Sequence, residues 1–209
     1  MTKTNILIPC LFAASLALIS CDDDNEAGLK TQAHDDNEMM SAMHAMSAEM
    51  DAMTMTKDAD HDFAAMMKMH HQGAIEMGNL ELEKGDDATI RSMAQMMIDM
   101  QQAEIQELQN FMSSHTPVAS EEGEMWGMEA MQAMDRMDKN ADLEVLTGDT
   151  DHDMAILMIN HHQSAMDMAQ SLLHHGHHEE LKVMANKMIE DQSKEIQDLQ
   201  AWLLKNKTY

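Results

Sequence analysis

The chain is poor in the residues that build disulfides, sheets and nucleic-acid surfaces. Of its 209 residues only two are Cys, two are Pro and 3% are aromatic, while 13 Lys and Arg face 38 Asp and Glu. Both cysteines, Cys10 and Cys21, lie near the N-terminus, so the rest of the chain has no thiol for a disulfide or a metal site. The scarcity of aromatic residues argues against a sheet core. A formal charge of -25 argues against nucleic acid as a partner.

The N-terminal segment has the pattern of an export signal. Lys3 precedes an apolar run that is too short for a membrane-spanning helix, so residues 1–20 are predicted to be a signal peptide. The sequence Leu-Ile-Ser-Cys ending at Cys21 resembles the lipobox of bacterial lipoproteins and predicts a lipidated Cys21; an ordinary cleaved signal is the alternative. Residues 21–38 are predicted to form an acidic tether. Asp22 after the cysteine favours the periplasmic side of the inner membrane.

A long internal repeat organises the rest of the chain. The sequence DHDFAAMMKMHHQGAIEM, which starts at Asp60, returns as DHDMAILMINHHQSAMDM, which starts at Asp151. A shift of 91 residues aligns residues 60–112 with residues 151–203 without a gap. Repetition over this length indicates that one supersecondary unit is present twice.

Each unit is predicted to be a short Met-rich helix followed by a helical hairpin. Gly85 and Gly176 lie where a first hairpin helix should end, which makes both hairpins antiparallel. Two equal hairpins most simply form an all-α four-helix bundle. The two units form one domain and cover residues 39–112 and 124–209, with a linker at residues 113–123.

The helix starts are predicted from aspartates. Asp60 or Asp62 is expected to cap the first hairpin helix of one unit, and Asp151 or Asp153 that of the other. The remaining helices are expected at residues 39–55, 86–112, 125–139 and 178–205.

Histidine pairs among methionines are the feature of the repeat that carries chemistry. On a helix, Met67, His70, His71 and Met77 lie close to one face. Thioether and imidazole ligands together suit Cu(I), with Ag(I) as a mimic and Cu(II) as a further candidate. Thioethers also serve in an oxidising compartment where free thiols do not persist. The candidate metal ligands are His61, Met67, His70, His71, Met77, Met93, Met97, His152, Met158, His161, His162, Met166, Met168, Met184 and Met188.

A methionine at core spacing also has a simpler interpretation, because its flexible side chain fills cores. The total of 28 Met nevertheless exceeds what a core of this size needs. One group of methionines is expected to be exposed and without a core to fill: Met39, Met40, Met43, Met46, Met50, Met53 and Met55. A cluster formed by His174, His175, His177 and His178 is either a weak site for Cu(II), Ni(II) or Zn(II) or a solvated turn.

These motifs resemble the family called domain of unknown function 305. The resemblance rests on a Met and two His on one helix followed by Gln-x-x-Glu-Ile on the next, and it covers nearly the whole exported chain. The matching residues are Met67, His70, His71, Gln101, Glu104 and Ile105, and again Met158, His161, His162, Gln192, Glu195 and Ile196. The resemblance implies a ferritin-like helical bundle, export, and copper binding that supports copper resistance. Asn160 stands where the first copy has Met69, so the two copies need not be equivalent.

Three functions remain open from the sequence. The leading hypothesis is a copper-binding lipoprotein, not an enzyme, that sequesters Cu(I) or passes it to a copper-efflux partner. A ferritin-like metal oxidase requires Glu-x-x-His pairs, which the sequence does not contain. The third hypothesis is a structural bundle whose adaptable Met surface binds other proteins.

Overall fold

A computed structural model describes residues 30–206, and all of its regular structure over that range is helical. The predicted signal peptide, the lipidation site Cys21 and residues 21–29, the first half of the predicted tether, lie outside these residues. Following a short 3-10 turn, six helices succeed one another: α1 Glu38–Asp51, α2 Ala59–Lys84, α3 Ala88–Ser114, α4 Glu121–Ala141, α5 Thr150–His175 and α6 Glu179–Lys205.

Two helical hairpins form the bundle. Helices α2 and α3 are joined at Gly85, and α5 and α6 at Gly176, so each pair is antiparallel. Helices α2 and α5 pack on each other at the centre, while α3 covers α2 and α6 covers α5. Helices α1 and α4 pack against the same two central helices. The predicted all-α bundle of two hairpins is therefore confirmed.

The central helices carry mostly small or flexible side chains where they contact their neighbours. Gly73 in α2 lets the Sδ of Met46 in α1 approach so closely that an added Cβ would lie 2.5 Å from it. Most residues of α2 and α5 that face the interior are Ala, Met or His. This composition lets the neighbouring helices pack closely on α2 and α5. The burial of each Met side chain stabilises the fold by about 1.5–3 kcal/mol.

The methionines of α1 serve this core, contrary to expectation. Met39, Met40, Met43, Met46 and Met50 are each at most 4% exposed, because α1 lies along α2 and contacts α4 and α5. The remaining two of the group, at positions 53 and 55, are half-buried. Much of the methionine surplus is therefore packing.

The helix starts also differ from the prediction. The N-cap of α2 is Asp58, whose carboxylate accepts the backbone N–H of His61, and the N-cap of α5 is Asp149. Asp62 instead accepts the backbone N–H groups of Thr56 and Lys57. Its carboxylate therefore fixes the turn before the helix.

Asp60 and Asp151 connect the two hairpins. Asp60 accepts the backbone N–H groups of His177 and His178, in the turn between α5 and α6. Asp151 accepts the corresponding groups of the α2–α3 turn, from residues 86 and 87. Because these hydrogen bonds are charge-assisted, they lock each central helix to the turn of the other hairpin. The bundle consequently has an approximate twofold relation between its halves.

Candidate metal centre

Four buried histidines cross the centre of the bundle, and we call them the histidine row: His71, His70, His161 and His162. Each is at most 1% exposed. The inner two, His70 and His161, meet where α2 packs on α5, with ring centres 3.7 Å apart. The outer two lie 6.4 Å and 5.9 Å from their inner neighbours. Adjacent histidines on one helix thus point in different directions, as the helical rotation of 100° requires.

The outer histidines bind carboxylates on the neighbouring helix of their own hairpin. His71 Nε2 lies 2.9 Å from Glu104 on α3, and His162 Nε2 lies 2.9 Å from Glu195 on α6. These are the glutamates of the repeated Gln-x-x-Glu-Ile sequence. A carboxylate that holds one imidazole nitrogen orients the ring and raises the basicity of the other nitrogen, an arrangement that recurs beside metal ions.

The inner histidines interact asymmetrically. His70 Nε2 lies 2.8 Å from the Ser164 hydroxyl, and His161 Nε2 lies 3.0 Å from the backbone carbonyl of His70. Ser164 stands where the first copy has Gly73. At Gly73 the neighbouring Met46 leaves no room for a side chain. The centre of the bundle is therefore a packed polar contact rather than an open site.

All four rings retain one unused nitrogen. The Nδ1 atoms of His70, His71, His161 and His162 are buried and have no hydrogen-bond partner. Burial lowers the pKa of His70 well below its usual range, and the charges of neighbouring histidines lower it further. Burial likewise lowers the pKa of His161. Neutral imidazoles with a free nitrogen are the form that binds metal ions.

The burial of His70 and His161, and that of Glu81, makes the stability of the fold depend on pH. Glu81 is buried, and burial, followed by a hydrogen bond with Asp151 and the charge of that carboxylate, raises its pKa to about 8. Below about pH 6.5, His70 and His161 bind protons in the unfolded chain but stay neutral in the folded chain. The free energy of unfolding therefore falls as pH falls. Between about pH 4.5 and 8 folded Glu81 keeps a proton that the unfolded chain releases, so stability falls as pH rises.

We expect the free energy of unfolding to peak near pH 6.5. Each group contributes a slope of about 1.4 kcal/mol per pH unit, so two histidines against one glutamate leave about that slope on the acid side. In Glu81→Gln the free energy of unfolding should no longer fall between pH 6.5 and 8, and below pH 6.5 it should change with pH about twice as steeply as in the wild type. Urea unfolding between pH 5 and 8 measures both. A stability that rises from pH 6.5 to 8 would contradict this assignment.

A cavity of about 230 Å³, which we call the methionine groove, opens between α3 and α6 above α5. It brings together Met93 and Met97 of α3 with Met158 and His162 of α5, all four of them predicted ligands. Glu195, the partner of His162, also lines it. The first repeat unit thus supplies two of these thioethers, and the second supplies the third thioether and the imidazole.

Further methionines and acidic residues complete the groove. Met96, Met100 and Met154 also line it, together with Asp191 and Asp198 of α6, which form ion pairs with Lys187 and Lys194. Thioethers at its wall match soft cations, which separates this groove from an ordinary acidic surface.

The twofold relation does not reproduce the groove on the other side. Shifting by 91 residues places Phe63 where the groove has Met154, and Lys187 where it has Met96. Phe63 is fully buried and packs edge-on against Trp126, with ring centres 6.1 Å apart. A separate cavity between α3 and α6 contains Met184 but is lined by neither Met67 nor His71. His162, the second-copy histidine, therefore shares a cavity with several thioethers, whereas its counterpart His71 does not line the cavity that contains Met184.

The other predicted ligands lie elsewhere. Met67, Met77, Met168 and Met188 are at most 1% exposed and belong to the hydrophobic core. Met166 on α5 is half-buried. His61 and His152 lie in the first turns of α2 and α5, each beside the following aspartate.

The four histidines around Gly176 do not form one cluster. His175 lies 3.4 Å from Glu129, and His177 lies 3.8 Å from Asp60. His178 instead contacts Phe111 and His115. Within residues 30–206, no three His, Cys, Asp or Glu side chains are arranged to hold a metal ion by themselves. A metal ion bound in the groove therefore depends on thioether ligands.

Comparison with known proteins identifies the family. The family described as Domain of unknown function (DUF305) matches residues 20–112 and 60–203. The chain belongs to the DUF305 family. A DUF305 protein of Streptomyces coelicolor, with a TM-score of 0.56 and 24% identity, is matched over 71% of this chain and 94% of that one. A DUF305 fragment of Deinococcus radiodurans, with a TM-score of 0.51 and 22% identity, is matched over 70% and 96%. Curated proteins give no match.

The two DUF305 matches correspond to the repeated hairpins of the structure. They overlap on residues 60–112, and the second match spans both hairpins. In this DUF305 chain the repeated glutamates orient the outer histidines across each hairpin. The repeated glutamines Gln101 and Gln192 are buried on the same helices, at 2% and 4% exposure.

Sequence reasoning missed part of the groove. Met96, Met100 and Met154 were not predicted as ligands, and none of the three is repeated in the other copy. The available signal was that these three positions hold methionine in one half of the bundle and Lys187, Asp191 or Phe63 at the equivalent positions of the other half.

Proposed function

We propose that the protein binds Cu(I) in the methionine groove and sequesters it in the cell envelope or passes it on. The observation that carries the proposal is the meeting of Met93, Met97 and Met158 with His162, whose Nδ1 has no other partner. Two or three such ligands satisfy Cu(I), whereas Zn(II) prefers thiolates, several imidazoles or carboxylates. Copper is cargo here and not a resident cofactor.

The chemistry of the groove also supports a non-enzymatic role. The thioethers bind Cu(I) without having to release a proton, so binding resists acid better than a thiolate site does. The groove is open on its solvent side and rimmed by acidic residues. Such an open site suits loading and release, as in a sequestering protein or in delivery to a copper-efflux partner.

Export and anchoring belong to the same proposal. The structure from Streptomyces coelicolor is described as that of a secreted protein, which supports export of this chain. No helix within residues 30–206 has the length and apolar character to cross a membrane. Lipidation at Cys21 would place the groove in the envelope, on the periplasmic side of the inner membrane, through a lipid anchor alone.

Titration of the intact chain with Cu(I), against a chromophoric Cu(I) chelator, tests the proposal. We expect binding of at least one equivalent, and a folded state stabilised by about 2.7 kcal/mol when free Cu(I) is 100 times the dissociation constant. Zn(II) at the same concentrations should not displace Cu(I). A chain that competes with no chelator and melts at the same temperature with and without Cu(I) would leave only the structural role.

A further inference from the structure

The thioethers that line the methionine groove differ in how far solvent reaches them. Met96 is 57% exposed, and Met93 and Met100 are half-buried. We call these three the outer thioethers. They follow one another at intervals of three and four residues on α3, so they lie along one face of that helix. The other three methionines of the groove are at most 3% exposed: Met97, Met154 and Met158.

Packing does not account for two of the outer thioethers, Met96 and Met100. In the other half of the bundle the equivalent positions are Lys187 and Asp191, which form an ion pair on α6. Because a charged pair occupies these positions there, the fold needs no apolar side chain at either. The sulfurs of Met96 and Met100 are therefore available for chemistry with solutes.

We propose that the outer thioethers are an oxidation site through which hydrogen peroxide releases Cu(I) from the groove. The proposal rests on Cu(I) binding in the groove and adds the regulation of that binding. A sulfur lone pair attacks one oxygen of the peroxide, and the O–O bond breaks as the S–O bond forms. A proton passes to the departing hydroxide, which leaves as water. Each thioether loses two electrons and becomes a sulfoxide, and the peroxide is reduced.

A sulfoxide is a poorer ligand for Cu(I) than the thioether it replaces. The soft sulfur lone pair is lost and a hard oxygen is gained, whereas Cu(I) prefers soft donors. The polar oxygen also draws water into a groove whose lining is mainly apolar. Met93 is one of the proposed ligands, so its oxidation removes a bond to copper, and oxidation of Met96 and Met100 removes the soft donors beside it. Copper should therefore leave the oxidised groove.

Solvent exposure makes the oxidation selective. Peroxide must reach the sulfur atom, so exposed thioethers are oxidised before buried ones. Met97 and Met158 are 3% and 1% exposed and should remain thioethers. Met128 on α4 is 61% exposed but does not line the groove. Its oxidation should accompany that of Met96 without any effect on Cu(I).

Peroxide treatment of the metal-free chain, followed by Cu(I) titration, tests the proposal. The chain carries Cys10→Ser and Cys21→Ser, so that no thiol reacts or binds copper. Excess peroxide is destroyed with catalase, peptide mass spectrometry locates the sulfoxides, and a chromophoric chelator measures the affinity. We expect sulfoxide first at Met96 and then at Met93 and Met100, with Cu(I) affinity lowered at least about tenfold. Methionine sulfoxide reductases for both epimers should restore the affinity.

Two variants separate the outer thioethers from the other exposed methionines, and each is compared with its own untreated form. Met93→Leu with Met96→Leu and Met100→Leu keeps the buried ligands of the groove, so peroxide should change its Cu(I) affinity by less than about threefold. Met125→Leu with Met128→Leu removes the exposed methionines of α4. This control should still lose at least about tenfold in affinity on treatment.

Three results overturn the proposal. The outer thioethers stay reduced while Met128 is oxidised, the oxidised chain binds Cu(I) within about threefold of the untreated chain, or the triple variant loses as much affinity as the wild type. If the triple variant binds no Cu(I), Met96→Leu replaces it and must lose less affinity on treatment than the wild type. Circular dichroism must show an unchanged helix content after treatment, since unfolding would mean that peroxide damages the fold and not the ligands. An untreated chain that binds no Cu(I) instead refutes the proposed function, whatever the positions of the sulfoxides.

Discussion

Replacing Met97 and Met158 by Leu should weaken Cu(I) binding at least 100-fold. Each thioether lost as a ligand removes a soft-metal bond, and a factor of ten in affinity corresponds to about 1.4 kcal/mol. Leucine nearly preserves the volume of methionine, so the stability cost of each change stays below about 1.5 kcal/mol. Both residues line the groove beside His162. The measurement is the chelator competition titration of the double variant against the wild type.

The repeat supplies the control for this experiment. Met67 and Met188 are the counterparts of Met158 and Met97 in the other half; all four are buried, but neither Met67 nor Met188 lines the groove. Met67→Leu with Met188→Leu removes the same two sulfurs from equivalent backbone positions. We expect Cu(I) affinity within about threefold of the wild type. Equal losses in the two double variants would mean that copper does not distinguish the groove from its counterpart.

Of the glycine-to-alanine substitutions within residues 30–206, Gly123→Ala should be the most destabilising, at about 2–4 kcal/mol. Gly123 lies in the first turn of α4, where a Cβ would lie 1.9 Å from the backbone carbonyl oxygen of Lys57. That oxygen also accepts the backbone N–H of Ser120. Since both partners are backbone, no rotamer change relieves the clash, and α4 must move away from the turn before α2.

Gly127→Ala, one helical turn later, is the matched control. An added Cβ at Gly127 has no atom within 4 Å, and replacing a mid-helix glycine by alanine gains about 0.5–1 kcal/mol. Urea unfolding of the two variants should therefore give shifts of opposite sign. A Gly123→Ala protein as stable as the wild type would show that α4 does not dock on Lys57.

The fold was largely predictable because the repeat and the glycines are local signals. Gly85 and Gly176 end the first hairpin helices as expected, and duplication implies two equivalent hairpins. The N-caps were predictable too, but the prediction was wrong. Thr-x-Asp-x-Asp-His-Asp occurs twice, at Thr56 and Thr147, and its first aspartate is the cap in both cases.

The candidate site was only partly predictable, because it depends on how the two hairpins pack. Helical spacing put Met158 and His162 on one helix, and Met93 and Met97 on another, but no local pattern shows that they share a cavity. Spacing also left open which histidine of each pair would bind a metal ion; in the structure His70 contacts α5 and His71 contacts α3. The burial of Met43 against α2 was missed for the same reason, since α1 looks unpartnered in the sequence.

X-ray absorption at the copper edge tests the central claim most directly. The sample is the chain loaded with one equivalent of Cu(I) and carrying Cys10→Ser and Cys21→Ser, so that every sulfur is a methionine. Copper in the methionine groove predicts a first shell of sulfur together with nitrogen, and loss of the sulfur scattering in the Met97→Leu, Met158→Leu variant. A first shell of nitrogen and oxygen alone in the parent chain would contradict the account.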